Sequence, residues 1–69
     1  MAYIIVAERI KEIRTERGLN QSDFGKSISV SQDTISLWEK GKSLPTAEYI
    51  ILICKKYNTS ADYILGLTE

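Results

Sequence analysis

Apolar residues recur along this chain at helical intervals, and the pattern restarts after each of several glycine or asparagine residues. Val6, Ile10 and Ile13 stand at i, i+4 and i+7, one face of a helix, and Gly18 is placed to end it in the left-handed conformation. Asn20 is an N-cap type, and a short second helix from Gln21 to about Ile28 follows, with Phe24 and Ile28 as its inward pair and Asp23 in its first turn. Ser31 caps a third helix that runs to Lys40 and stops at Gly41. Thr46, after Pro45, opens a fourth in which Ala47, Ile50, Ile51 and Cys54 fall at i, i+3, i+4 and i+7, and Asn58 can close it as a glycine would. Ser60 caps a fifth, with Asp62 in its first turn, Tyr63, Ile64 and Leu65 for packing and Gly66 at its end. No segment alternates with the two-residue period of a strand. The pattern predicts an all-α fold, a compact five-helix domain over residues 1–69.

Some apolar residues fall outside these stripes. Tyr3, Ile4 and Ile5 read as an apolar N-terminal arm, residues 1–5, that either folds back on the core or meets another subunit. Tyr49 and Leu52 add apolar surface to the fourth helix.

Composition narrows the function. Sixty-nine residues, 43% hydrophobic and 26% charged, suit one small globular domain with a core of marginal size. One cysteine permits no internal disulfide, and a chain without histidine is a poor metal site, so neither metal nor cofactor is expected. No serine or cysteine has a recognisable base at a motif spacing, which argues against an enzyme. No apolar run approaches the ~20 residues that span a bilayer, and MAYIIV has no basic residues before it. The expectation is a cytoplasmic chain, not membrane-bound, with Cys54 reduced.

Two short helices joined by a tight turn, Gln21–Ile28 and Ser31–Lys40, have the arrangement of a helix-turn-helix. The stretch LNQSDFGKSISVSQDTISLWEKGKSLP, preceded by ERIKEIRTERG and followed by YNTSADYILGLTE, resembles the Cro and lambdoid-repressor family of DNA-binding domains, the Xre type. The resemblance covers roughly residues 7–68. It implies a bacterial or phage-encoded transcriptional regulator, a repressor, whose third helix (31–40) enters the major groove of double-stranded DNA from a homodimer on a two-fold operator.

Carried onto this sequence, the resemblance places Ile35 and Trp38 on the core. It leaves Gln32, Asp33, Ser36 and Leu37 toward base edges, with Thr34 at the flank. Glutamine suits adenine N6/N7, aspartate can accept from cytosine N4, and leucine can touch a thymine methyl. Gln21 matches the family's phosphate contact at the start of the second helix, and Ser31, Lys40, Lys42 and Lys26 are further phosphate candidates. Arg14 and Glu39 match a structural ion pair between the first and third helices. Dimerisation is expected through Asn58, Thr59, Ser60 and Ala61 and onward to Leu67.

Three features depart from that pattern. Ser29 stands where relatives have a left-handed glycine, at ~1 kcal/mol of strain, and Gly25 replaces an alanine, at ~0.5–1 kcal/mol of helix propensity. Net charge is zero, although nucleic-acid binders are commonly basic. Residues 1–43 carry seven basic and six acidic groups, and residues 44–69 two and three, so moderate affinity with a shallow salt slope is expected. Neutral charge and exposed apolar residues also fit an alternative: a protein-interaction module on the same fold, antirepressor or antitoxin-like, with a protein partner.

Overall fold

Five residues in the left-handed conformation divide the chain into helices: Gly18, Ser29, Gly41, Asn58 and Gly66, with φ between 53° and 76°. The computed structural model describes residues 2–68, with side chains from Tyr3 to Thr68. α1 spans Ala2–Glu16, α2 Gln21–Ser27, α3 Gln32–Glu39, α4 Ala47–Tyr57 and α5 Ala61–Leu65. After each helix the chain turns in the same way. The amide just past the left-handed residue bonds the carbonyl five positions back: Leu19 to Arg14 at 3.2 Å, Val30 to Gly25 at 2.8 Å, Lys42 to Leu37 at 3.0 Å, Thr59 to Cys54 at 3.1 Å and Leu67 to Asp62 at 2.8 Å. Three helix starts are capped by side chains: Asn20 accepts from the Asp23 amide at 2.7 Å, Ser31 from Thr34 at 3.2 Å and Ser60 from Tyr63 at 3.1 Å. Thr46, at the head of α4, makes no such bond.

α1 packs on α3 and α5, α2 on α3, and α4 on α5. Val6, Ile10 and Ile13 of α1 meet Phe24, Ile28, Ile35, Trp38, Ile53 and Ile64 in one buried cluster. A Cα radius of gyration of 10.6 Å is near the ~11 Å of a close-packed chain this long. Aromatic and cationic contacts tie the rim. Phe24 stacks on Tyr57 with ring centroids 5.2 Å apart, and the Tyr57 and Ser27 hydroxyls share a hydrogen bond. Arg17 donates to the Tyr57 carbonyl at 2.5 Å, and Arg9 lies 4.2 Å from the centre of the Tyr63 ring. Among the described residues no helix is long and apolar enough to cross a membrane.

Two expectations are corrected here. Tyr3, Ile4 and Ile5 are not an arm: they form the opening turns of α1, continuous with Val6 and Ala7 in the core. Ile5 packs so closely on Gly66 that a Cβ there would collide with it, which fastens the start of α1 to the end of α5. The inward stripe of α4 is also rotated. Ile53 is fully buried, with Tyr49, Ile50, Cys54 and Tyr57 beside it, whereas Ala47 and Ile51 face outward, Ile51 at 53% exposure. Tyr49 to Cys54 are six consecutive apolar residues, so spacing alone could not say which side turns in.

Candidate nucleic-acid interface

α3 is held by two apolar side chains and displays the rest. Ile35 and Trp38 are buried, and Trp38 meets Tyr49 of α4 with ring centroids 5.7 Å apart. At 3.6 residues per turn, Asp33 and Lys40 then lie at the middle of the opposite face, Ser36 and Leu37 about 50° to either side and Gln32 at its edge, about 90° away. Gln32, Asp33, Leu37 and Lys40 are exposed, and Thr34 and Ser36 half-buried.

The turn before α3 sets its angle to α2. Ser29 supplies the left-handed residue, and Gly25 is buried beneath the turn. A Cβ on Gly25 would collide with the Val30 carbonyl oxygen and lie 3.3 Å from Ile35 Cγ1. Reading Gly25 as a mere weakness in helix propensity is therefore corrected: its missing side chain lets α2 and the turn meet.

Behind this face lies a polar clasp. Arg14 Nε donates to Glu39 Oε2 at 2.7 Å and Arg14 Nη2 to Glu39 Oε1 at 3.0 Å, while Arg14 Nη1 donates to the Leu19 carbonyl at 2.8 Å. The hydrogen bond that Arg14 donates to Glu39 holds the guanidinium pKa above the ordinary arginine value; desolvation opposes this and the Glu39 charge adds to it. Gln21 joins the same carboxylate, donating from Nε2 to Glu39 Oε1 at 3.2 Å. Its amide is thus partly committed inward, and one N–H remains free to turn outward. Composition did not announce this link, although Glu39 is the only acid between Asp33 and Glu48.

The remaining candidates separate by how occupied they are. Ser31 and Thr34 face each other across 3.0 Å between their hydroxyls, so both work first as the cap of α3. Lys26, Lys40 and Lys42 are exposed, and the Lys42 amide is pinned to the Leu37 carbonyl, which sets where that lysine departs. Asn58, Ser60 and Ala61 are exposed, Thr59 is half-buried, and Leu67 at 70% exposure is the most exposed large hydrophobic residue described. Sequence reasoning passed over Leu44, an exposed apolar residue in the loop after Lys42; its signal was a leucine set between two chain-breaking residues, Gly41 and Pro45.

Comparison with known proteins gives one family and several relatives. The Helix-turn-helix family model matches residues 10–64. Antitoxin PezA of Streptococcus pneumoniae is 32% identical over 62 residues, 90% of this chain and 39% of that protein. The HTH-type transcriptional activator BcrR of Enterococcus faecalis is 33% identical over 62 residues, 90% of this chain and 30% of that protein. The crystal structure of the phage P22 c2 repressor protein in complex with synthetic operator 9T superposes with a TM-score of 0.81 at 33% identity, covering 87% of this chain and 91% of that one. The chain spans well under half the length of the two curated relatives.

Proposed function

This chain belongs to the helix-turn-helix family, in its Xre type, and from that premise we propose that it is a sequence-specific DNA-binding transcriptional regulator, a repressor. α3 enters the major groove of double-stranded DNA with Gln32, Asp33, Ser36 and Leu37 toward base edges and Thr34 at the flank. Lys40, Lys42, Lys26, Ser31 and the free N–H of Gln21 meet phosphates. One observation carries the reading: α3 buries only Ile35 and Trp38, and the side chains on its outward face make no hydrogen bond to the rest of the domain among the described residues. Such a face is an unspent set of donors and acceptors on a helix clamped from behind by Arg14 and Glu39.

The regulator acts as a homodimer on DNA, joined through Asn58–Ala61 and Leu67. Two copies present two α3 helices to successive turns of the major groove, about 34 Å apart, and a dimer seated over a promoter excludes polymerase from it. A second reading has one observation in its favour: Ile51, Leu52, Leu65 and Leu67 are all exposed, apolar area of the kind that a protein partner of antirepressor or antitoxin type would cover.

The deciding experiment is selection from a randomised duplex pool at near-physiological salt. Enrichment of a two-fold motif with half-sites one helical turn apart is the expected result. A single half-site keeps the DNA function and removes the dimer. Salt-sensitive retention without any motif moves the assignment to the protein-interaction module.

A further inference from the structure

Asp33 and Leu37 stand one helical turn apart on the outward face of α3, both exposed, and their chemistries select the same class of base. We propose that they form a pyrimidine-reading pair: the Asp33 carboxylate accepts from the N4 amino group of a cytosine, and Leu37 packs on the C5 methyl of a thymine one or two base pairs away. The inference rests on the DNA-binding reading above and names the bases which that reading leaves open.

Asp33 is unengaged within the domain. The ion pairs among the described residues are Arg14–Glu39 and Arg17–Glu16, and Asp33 takes part in neither. An ionised carboxylate only accepts hydrogen bonds. In the major groove guanine offers it two acceptors and thymine one, all repulsive, while adenine places the N7 acceptor beside its N6 donor. Cytosine alone offers a donor with no acceptor beside it on the same base. An acid near the centre of the reading face therefore selects cytosine mainly by penalising the other three bases.

Leu37 works by the same exclusion. It is apolar yet 44% exposed, and it has no donor or acceptor to return to a polar base edge. Covering such an edge would leave it dehydrated and unpaired, whereas the thymine methyl is the one apolar group on the major-groove edges. Its place is fixed by the turn that follows, because the Leu37 carbonyl receives the Lys42 amide at 3.0 Å. The same bond holds the Lys42 backbone beside the Leu37 turn. Four residues advance ~6 Å along a helix and one base pair ~3.4 Å along DNA, so the two side chains address base pairs no more than about two steps apart.

The test uses the duplex selected by the full chain and two kinds of change, read as binding affinity. Replacing each thymine of a half-site in turn by deoxyuridine removes only the methyl group. One such replacement should weaken wild-type binding about fourfold and leave Leu37→Ala binding unchanged. Asn in place of Asp can pair with adenine N6/N7, so Asp33→Asn should move the preference at one position from cytosine to adenine, by about 5- to 100-fold. Both residues are exposed, so circular dichroism should show the variants folded; the deoxyuridine series needs no variant at all. Wild-type binding indifferent to every deoxyuridine, or an Asp33→Asn motif identical to the wild-type motif, overturns the pair. A selected motif without cytosine and thymine within two steps overturns it while leaving the DNA function intact. A pool that yields no motif overturns both.

Discussion

Arg14 and Glu39 meet in a two-point pair 25 residues apart in sequence, 2.7 Å from Nε to Oε2 and 3.0 Å from Nη2 to Oε1, with side chains only 12% and 5% exposed. Each loss would strand a largely buried charge, so Arg14→Met or Glu39→Leu should destabilise the domain by ~3–5 kcal/mol in urea titrations. Losing both together, as Arg14→Met with Glu39→Leu, should cost less than either alone. A double variant as unstable as the sum of the two singles would mean the residues act independently.

Gly25 gives a prediction opposite in sign to helix propensity. In an open helix Gly→Ala stabilises by ~0.5–1 kcal/mol. Here the added Cβ meets the Val30 carbonyl and Ile35, so Gly25→Ala should destabilise by ~1–3 kcal/mol. Ser29→Gly, at φ 61°, should do the reverse and stabilise by up to ~1 kcal/mol. Thermal midpoints report both, at roughly 4–8 °C per kcal/mol for a domain of this size.

Burial pushes the Cys54 thiol pKa upward. The folded chain therefore holds the neutral thiol more firmly than the unfolded chain does. The associated stability is fully present below the unfolded thiol pKa of ~8.5 and declines as pH rises through the higher folded value. Urea midpoints from pH 7 to pH 10 should fall more steeply for the native sequence than for Cys54→Ala. Alkylation by iodoacetamide at pH 8 should be slower than in the urea-unfolded chain.

Helix number and helix ends were legible because both rest on local chemistry. Asn20, Ser31 and Ser60 cap as their types suggest, and Gly18, Gly41, Asn58 and Gly66 close as theirs do. What was not legible depends on partners distant in sequence. The turning of α4 about Ile53 rather than Ile51 is decided by α5 and the core, and the docking of Ile5 at the start of α1 by Gly66, 61 positions away. At the site, residue types suggested chemistry for Gln32, Asp33 and Leu37, but only the fold separates the unengaged Asp33 from Ser31, Thr34 and Gln21, whose polar atoms already have neighbours.

The neutral charge of the chain makes salt dependence the sharpest test of the proposed lysine–phosphate contacts. Between Asn20 and Ser43 there are three lysines, Lys26, Lys40 and Lys42, against Asp23, Asp33 and Glu39, and Glu39 is already matched by Arg14. Each phosphate neutralised contributes about −0.9 to the slope of log K against log salt, so three lysines give at most about −3 per subunit. Lys40→Ala and Lys42→Ala should each flatten the slope by about 1 and weaken binding to all duplexes alike, whereas Gln32→Ala should change which sequence is preferred with the slope unaltered. Lys26 lies on α2, whereas Lys40 and Lys42 follow α3, so it is the informative case. A slope unchanged in Lys26→Ala would confine the lysine–phosphate contacts to Lys40 and Lys42, and the wild-type slope would then be nearer −2 than −3 per subunit. A wild-type slope well beyond −3 would require phosphate contacts from Lys55, Lys56 or the arginines of α1, and so a different face of the domain against the DNA.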